Sequence, residues 1–161
     1  MSKKTGASGV KIVSKNRKAW HDYHILDTYE AGIALTGSEI KSVRANQVSL
    51  RDGYALVRNG EIWLENVHIA PYNQANRENH EPRRPRKLLL HRREINRLTG
   101  KLREKGLTLI PLSMYLKNSR AKVELGLAKG KRQYDKRVAL KEKEARRQID
   151  RSMGQRHKGY N

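Results

Sequence analysis

The alternation of apolar and polar residues that runs through 123–127 stops after Gly130, and this change divides the chain. Val123, Leu125 and Leu127 alternate with polar or small residues, which predicts a strand with one buried face. No strand pattern follows Gly130, where the chain becomes a basic segment around Tyr134. We therefore predict a folded domain over residues 15–130 and a basic C-terminal tail over residues 131–161.

Two hairpins are the clearest elements of the predicted domain. Asn59-Gly60 separates two alternating segments, and this dipeptide is the strongest local signal for a two-residue turn. The segments LTLIPLSMYL and AKVELGLAKG, joined by residues 117–120, predict the second hairpin. Residues 20–35 predict two shorter strands that are joined or bent at Gly32.

Two helices follow from residue spacing. Thr36 and Glu39 form a capping box, which predicts a helix of about two turns. A second helix over residues 88–105, ended by Gly106, is predicted by the repeat of Leu88, Ile95, Leu98 and Leu102. Leu90 lies off this repeat, so it either packs in a broad first turn or is exposed.

The remaining stretches lack a strong pattern. Residues 1–14 carry no periodicity and predict a flexible N-terminal arm, and residues 72–87 are polar with two prolines and predict a long loop. The tail has a narrow helical repeat of Val138, Ala145, Ile149 and Met153. A stripe this narrow does not hold an isolated helix firmly, so we expect a tail that is disordered when free and helical when bound.

About six short strands, one long helix and one short helix match the element count of an antiparallel barrel of the oligonucleotide-binding type. The predicted fold is therefore mainly β, with helices packed on an antiparallel β-barrel and a basic tail. With 36% hydrophobic residues and no Phe, the core must be built mostly from Leu, Ile and Val.

The charge of the chain indicates its class of partner. Lys and Arg total 36 against 16 Asp and Glu, a net charge of +20, which attracts a polyanion. Nucleic acid is the leading partner, and an anionic membrane surface is the second. The chain has no cysteine, no run of about 18 apolar residues and no apolar segment near its N-terminus, so we expect a cytoplasmic protein without a membrane span.

Candidate catalytic and metal-binding groups are sparse. His21 and His24 would point to opposite faces of a strand, and no third metal ligand clusters with them. The carboxylates of residues 22–39 are too scattered for two-metal chemistry, and no nucleophile triad or phosphate-binding glycine loop is present. We expect no enzyme activity, no metal and no cofactor. Trp20, Tyr23, Tyr72 and Tyr115 could stack on bases, whereas Trp63 is expected in the core, and structured RNA is favoured over duplex DNA.

Three ordered segments of the chain resemble the small protein B family, the SsrA-binding proteins of bacterial trans-translation. These are NRKAWHDYHILDTYEAGIALTGSEIKSVRANQVSLRDGYALVRNGEIWL, RRPRKLLLHRREI and KVELGLAKGKRQYDKR. The resemblance implies a barrel that binds the tRNA-like domain of transfer-messenger RNA and accompanies it, with elongation factor Tu, to stalled ribosomes. It implies a monomer. A ribosomal RNA-binding protein and an RNA-processing enzyme are the alternatives.

The resemblance also implies the binding residues. Asn16, Arg17, Lys18, Glu30 and Leu90 fall where the RNA-binding surface of the family lies. The basic residues assigned to the same role are Arg86, Lys87, Lys122, Lys129, Lys131 and Arg132. In the tail, Asp135, Lys136 and Arg137 match a motif that works in the ribosomal decoding centre, and Tyr134 and Met153 are assigned to the same tail function. Many family members carry His where this chain has Tyr134; both rings can stack on a base, but Tyr lacks the positive charge.

Overall fold

The computed structural model describes residues 9–73, 79–131 and 133–158, which belong to two units, residues 1–130 and residues 131–161. The first unit contains nine strands and three helices within the described ranges, and the second contains one helix. In chain order the elements are β1 (Val10–Lys15), α1 (Arg17–Asp22), β2 (Tyr23–Ile33), α2 (Gly37–Arg44), β3 (Val48–Ser49), β4 (Tyr54–Arg58), β5 (Glu61–Glu65), β6 (His68–Ile69), β7 (Arg86–Leu89), α3 (Arg92–Leu102), β8 (Leu107–Lys117), β9 (Arg120–Gly130) and α4 (Gln133–Lys158).

Six strands form a closed antiparallel ring. The order β8, β4, β5, β7, β2 and β9 returns to β8, because β9 pairs with both β2 and β8. Strand β1 pairs with the second half of β8, and the short strands β3 and β6 pair with each other. The predicted mainly β fold with an antiparallel barrel and packed helices is confirmed.

Alternation along each strand fills the barrel with aliphatic side chains. One face of β2 buries Tyr29, Ala31 and Ile33, and the inward face of β9 buries Val123 and Leu125. The helix α3 adds Ile95 and Leu98 to the same core. Because helix side chains reach a barrel interior only through an open end, α3 covers one end of the barrel.

The predicted hairpin turns and the predicted capping box are confirmed. Asn59 and Gly60 have φ angles of 52° and 72°, as a two-residue turn with left-handed central residues requires. Asn118 and Ser119 serve the second hairpin in the same way, with φ of 50° and 66°. At α2, Thr36 accepts a hydrogen bond from the Glu39 N–H, and the Glu39 carboxylate accepts one from the Thr36 N–H.

The predicted flexible arm over residues 1–14 is wrong for its last five residues, since Val10–Lys15 is strand β1. The physical reason lies in the length of β8: β4 pairs with β8 only at Leu109, so the second half of β8 has a free edge that β1 covers. Helix α1 follows immediately and was not predicted. It has only six residues, too few to show helical periodicity.

Three other boundaries differ from the prediction. Strand β2 is continuous rather than broken at Gly32, and its bulge lies between Ile25 and Asp27. The predicted loop 72–87 ends at Pro85, because residues 86–89 pair with β5 and β2 as strand β7. The helix predicted from residue 88 therefore begins at Arg92.

Trp63, which was expected in the core, is half-buried on the outside of β5. Its neighbours Ile62 and Leu64 face the core instead.

A buried ion pair joins α2 to β7. Glu39 and Arg86 both have 0% exposure, and Arg86 Nε donates a hydrogen bond to the Glu39 carboxylate. The other two guanidinium nitrogens donate to the carbonyls of Val67, at 2.8 Å, and Pro82, at 3.0 Å. Arg84 also donates to Glu39. Burial alone would raise the pKa of Glu39, but the hydrogen bonds from Arg84, Thr36 and Arg86 hold it below its usual value.

We expect Glu39→Gln to destabilise the barrel domain by about 3 to 5 kcal/mol, because Arg86 would remain buried without its counter-charge. Urea unfolding followed by circular dichroism measures this change. Glu61→Gln is the matched control, since Glu61 pairs with Lys87 on the surface, where an ion pair contributes about 0 to 1 kcal/mol. Equal losses in both variants would contradict the structural role of the buried pair.

Candidate nucleic-acid interface

The outer faces of β2, β8 and β9 form one polar surface on the barrel wall. Register pairing sets Tyr115 of β8 beside Lys122 of β9, and Lys122 beside Gly32 of β2. Glu30 lies two residues before Gly32 on β2 and therefore on the same face, and Leu89 of the neighbouring strand β7 pairs with Gly32. We call this the wall surface and define it by Glu30, Leu89, Tyr115, Lys117, Arg120 and Lys122.

Glu30 is held in place on the wall surface although it is exposed. The Tyr115 hydroxyl donates a hydrogen bond to its carboxylate, and Lys117 Nζ lies 3.5 Å from Glu30 Oε1. The hydrogen bond from Tyr115 is the main reason that the pKa of Glu30 lies below its usual value, with Lys117 acting in the same direction. Burial and the Glu30 carboxylate together raise the pKa of Tyr115. An ionised carboxylate with a fixed orientation can accept hydrogen bonds from base amino groups or ribose hydroxyls.

The exposed leucine of this surface is Leu89 rather than Leu90. Leu89 is 53% exposed, whereas Leu90 is half-buried and packs against the main core. Leu89 borders a recess of about 430 Å³ that Arg120 and Lys122 also line. A side chain at Gly32 would meet the Leu89 Cβ at 3.3 Å, so the absence of a side chain there leaves room for Leu89. The structure thus contradicts an exposed position for Leu90.

Two residues that the resemblance assigned to RNA binding are buried and have structural roles. Asn16 is 3% exposed, accepts a hydrogen bond from the Ala19 N–H and donates to the carbonyls of Leu50 and Pro111. Arg86 is fully buried in its pair with Glu39. Neither side chain can contact RNA on this surface, because each has its polar atoms turned toward the protein interior.

A second basic group lies at the other end of β2. Arg17, Lys18 and Lys129 are exposed there, and Lys129 pairs in register with His24. Lys18 Nζ lies 3.5 Å from Asp52. His24 and Glu30 are six residues apart on β2, which corresponds to about 20 Å along the strand. The predicted site residues therefore divide into the wall surface and this group, which we call the end cluster.

The remaining predicted residues lie apart from both groups or outside the described side chains. Lys87 Nζ is 3.2 Å from Glu61 on the outside of β5 and β7. Lys131 is half-buried. Arg132 lies outside the described residues, and so do the side chains of Tyr134, Asp135 and Lys136 in α4. Arg137 is exposed, and Met153 is 66% exposed.

The described ranges contain no group of three or more His, Asp or Glu side chains arranged to hold a metal ion. His21 Nδ1 is 2.8 Å from the neighbouring Asp22 carboxylate. Over the same ranges, no helix has the length and apolar character needed to cross a membrane.

Sequence reasoning missed three members of the wall surface: Leu89, Lys117 and Arg120. The hairpin prediction contained a signal for two of them, because Lys117 and Arg120 flank its turn and thus share one end of the sheet. Tyr115 was named as a possible stacking face, and in the structure its hydroxyl donates to Glu30. The helical repeat predicted over residues 88–105 gave no signal for Leu89, because residues 86–89 form strand β7 rather than the start of that helix.

Comparison with known proteins agrees with this architecture. The model of the SmpB protein family matches residues 13–155. The SsrA-binding protein of Acidothermus cellulolyticus is 63% identical over 153 residues, covering 95% of this chain and 96% of the relative. That of Carboxydothermus hydrogenoformans is 60% identical over 147 residues, covering 91% and 99%. A solved structure described as "tmRNA-SmpB: a journey to the center of the bacterial ribosome" matches with a TM-score of 0.65 and 50% identity, over 83% of this chain and 95% of that chain.

We expect Tyr115→Phe to raise the pKa of Glu30 toward its usual range, because the hydrogen bond that stabilises the carboxylate is removed. A carboxyl ¹³C NMR titration of Glu30 in both proteins measures this shift. Glu124 is the internal control, since it accepts its hydrogen bond from Ser113 rather than from Tyr115. An unchanged Glu30 titration in Tyr115→Phe would show that the hydroxyl does not set its ionisation.

Proposed function

This chain belongs to the SmpB protein family, and from that premise we propose that it is an RNA-binding adaptor. It binds the tRNA-like domain of transfer-messenger RNA and delivers that RNA to stalled ribosomes for trans-translation. The observation that carries this proposal is the wall surface, where an oriented carboxylate, an exposed leucine and three cationic side chains lie together.

Each part of the wall surface suits a different feature of folded RNA. Lys117, Arg120 and Lys122 provide cations for phosphates, which supply affinity without selecting sequence. Glu30 would repel phosphates, so its presence among these cations favours contact with base edges or 2′-hydroxyls instead. Leu89 offers an apolar contact to an unstacked base. This combination suits the loops of a tRNA-like domain better than a uniform duplex.

The end cluster extends the electrostatic surface of the barrel. Arg17, Lys18 and Lys129 can contact further phosphates, at about 20 Å from Glu30 along β2. An RNA contact of this length involves several phosphates, so the affinity should fall steeply as salt rises. The net charge of +20 acts in the same direction by speeding association with RNA.

The tail serves the step that follows delivery. In α4 the apolar side chains Val138, Ile149 and Met153 are exposed on one face, and the helix is rich in Lys and Arg. A basic helix with an exposed apolar stripe suits a channel whose walls are ribosomal RNA and protein. We assign Tyr134–Arg137 to the decoding centre and the rest of α4, including Met153, to the empty messenger channel. The tail would be disordered when free and helical there, in a monomeric cytoplasmic protein that elongation factor Tu accompanies.

We expect Glu30→Ala and Leu89→Ala each to weaken binding of the tRNA-like domain about tenfold, or ~1.4 kcal/mol, with unchanged melting temperatures. The reason is that both side chains are exposed and contribute little to folding. Filter binding and thermal unfolding measure the two effects. Leu90→Ala is the matched control, because it should lower the melting temperature and leave RNA affinity nearly unchanged.

The same assay separates the adaptor from its alternatives. A matched ribosomal RNA fragment should bind more weakly than the tRNA-like domain at moderate salt, and neither RNA should be cleaved. Equal affinity for both RNAs would favour a ribosomal RNA-binding protein. Cleavage of either RNA would favour a processing enzyme.

We expect a chain that ends at Gly130 to bind the tRNA-like domain with near-normal affinity but to support little or no peptide tagging on stalled ribosomes. Every strand of the barrel lies within residues 1–130, so the RNA-binding unit remains complete. Tagging of a non-stop message in a reconstituted translation system measures the second function. Tagging at the full rate by the truncated chain would rule out a role for Tyr134–Arg137.

A further inference from the structure

We propose that the outward face of α3 is a second RNA-binding surface, which takes the phosphate backbone of ribosomal RNA while the wall surface holds the tRNA-like domain. This proposal rests on the proposed function. It is carried by the placement of Arg93, Arg97, Gly100 and Arg103, which we call the α3 face.

The first observation is that the arginines of the α3 face have no counter-charge. Ile95 and Leu98 face the core, so Arg93 and Arg97 point away from it, one helical turn apart. All three arginines are exposed, and within the described ranges none of them makes a hydrogen bond or an ion pair. The basic residues that flank the face differ in this respect, because Arg92 donates to the Gly60 carbonyl and Lys101 Nζ lies 3.8 Å from Asp27.

The second observation is that few acidic groups lie near the α3 face, and that Asp27 of β2 is already engaged by Lys101 at 3.8 Å and by the Tyr29 hydroxyl at 3.0 Å. The one acid within α3, Glu94, is half-buried, and its carboxylate accepts a hydrogen bond from the His91 N–H at the start of the helix. Glu104 follows the helix, between Arg103 and Lys105. Like charges at positions i and i+4 repel each other, so Arg93 and Arg97 destabilise the free helix slightly. A phosphate between them would remove this repulsion.

The third observation concerns Gly100. A glycine inside a helix is less favourable than alanine, and it is normally retained because a side chain would clash. At Gly100 an added Cβ would meet no atom within 4 Å, and its φ is not in the left-handed region. Packing within the protein therefore does not require this glycine. Its missing side chain leaves a flat area between Arg97 and Arg103, where an RNA backbone can approach the helix closely.

The α3 face and the wall surface point in different directions. The wall surface is the outside of β2, β8 and β9, whereas α3 closes an open end of the barrel with Ile95 and Leu98. One straight RNA helix cannot lie flat on a barrel wall and on the adjoining barrel end. If the tRNA-like domain occupies the wall, the α3 face remains available to the second RNA that the adaptor meets, which is the ribosome's.

The test uses the full chain with Arg93→Gln, Arg97→Gln and Arg103→Gln combined, bound to transfer-messenger RNA. We expect its association with purified stalled ribosomes to fall about tenfold or more at moderate salt, with the slope of log affinity against log salt reduced by about 2. The control combines Lys11→Gln, Lys41→Gln and Arg44→Gln, which removes the same charge from exposed positions outside the α3 face, the wall surface and the end cluster. Affinity for the isolated tRNA-like domain should fall no further in the α3 variant than in this control.

A second variant separates RNA contact from folding. Gly100→Gln should raise the melting temperature, because glutamine favours a helix, and should lower ribosome association, because its side chain occupies the flat area. The proposal is overturned if ribosome association of the triple variant equals that of the control, or if its affinity for the tRNA-like domain falls just as far. Failure of the wild-type chain to bind the tRNA-like domain would instead refute the proposed function.

Discussion

The buried pair of Glu39 and Arg86 is the interaction on which the wall surface depends. It fastens the start of α2 to β7, and the remaining guanidinium hydrogen bonds reach the carbonyls of Val67 and Pro82. Strand β7 is only four residues long, yet it joins β5 to β2 and so completes the barrel ring. The ion pair adds a fixed anchor to the pairing of β7 with β5 and β2, which places Leu89 beside Gly32.

The pair also explains why a segment rich in arginine is not simply a flexible basic loop. Arg84 and Arg86 both donate hydrogen bonds to the Glu39 carboxylate, whereas Arg83 donates to Asn66 on the surface. A buried charge is tolerated only when it is paired and hydrogen-bonded, and here each of the three guanidinium nitrogens of Arg86 donates to an acceptor. Arginines close together in the sequence therefore have different roles, since Arg84 and Arg86 support the fold and Arg83 remains at the surface.

The wall surface shows a related division among polar groups. Tyr115 and Lys117 orient Glu30 without burying it, so an acidic group is retained on a protein that carries a charge of +20. General electrostatic attraction brings any polyanion to such a protein, and it does not distinguish among RNAs. A fixed carboxylate and an exposed leucine can distinguish among RNAs, because both can contact particular unpaired nucleotides. The carboxylate also repels phosphates and so opposes unselective contact with the RNA backbone.

Local patterns in the sequence were sufficient for the elements that local chemistry controls. The turns at Asn59-Gly60 and Asn118-Ser119, the capping box of α2 and the alternation in β8 and β9 follow from backbone preferences and side-chain period, and the barrel class followed from their count. Burial could not be determined in this way. Asn16, Arg86, Leu89 and Leu90 are assigned to the interior or the surface by strands that are distant in sequence, and β1 exists because β8 offers a free edge. Sequence alone thus determined the turns, the cap and the long alternating strands, whose signals are local. The tertiary structure decided the short elements β1, α1 and β7 and which polar and apolar side chains face solvent, because these depend on pairing between distant segments.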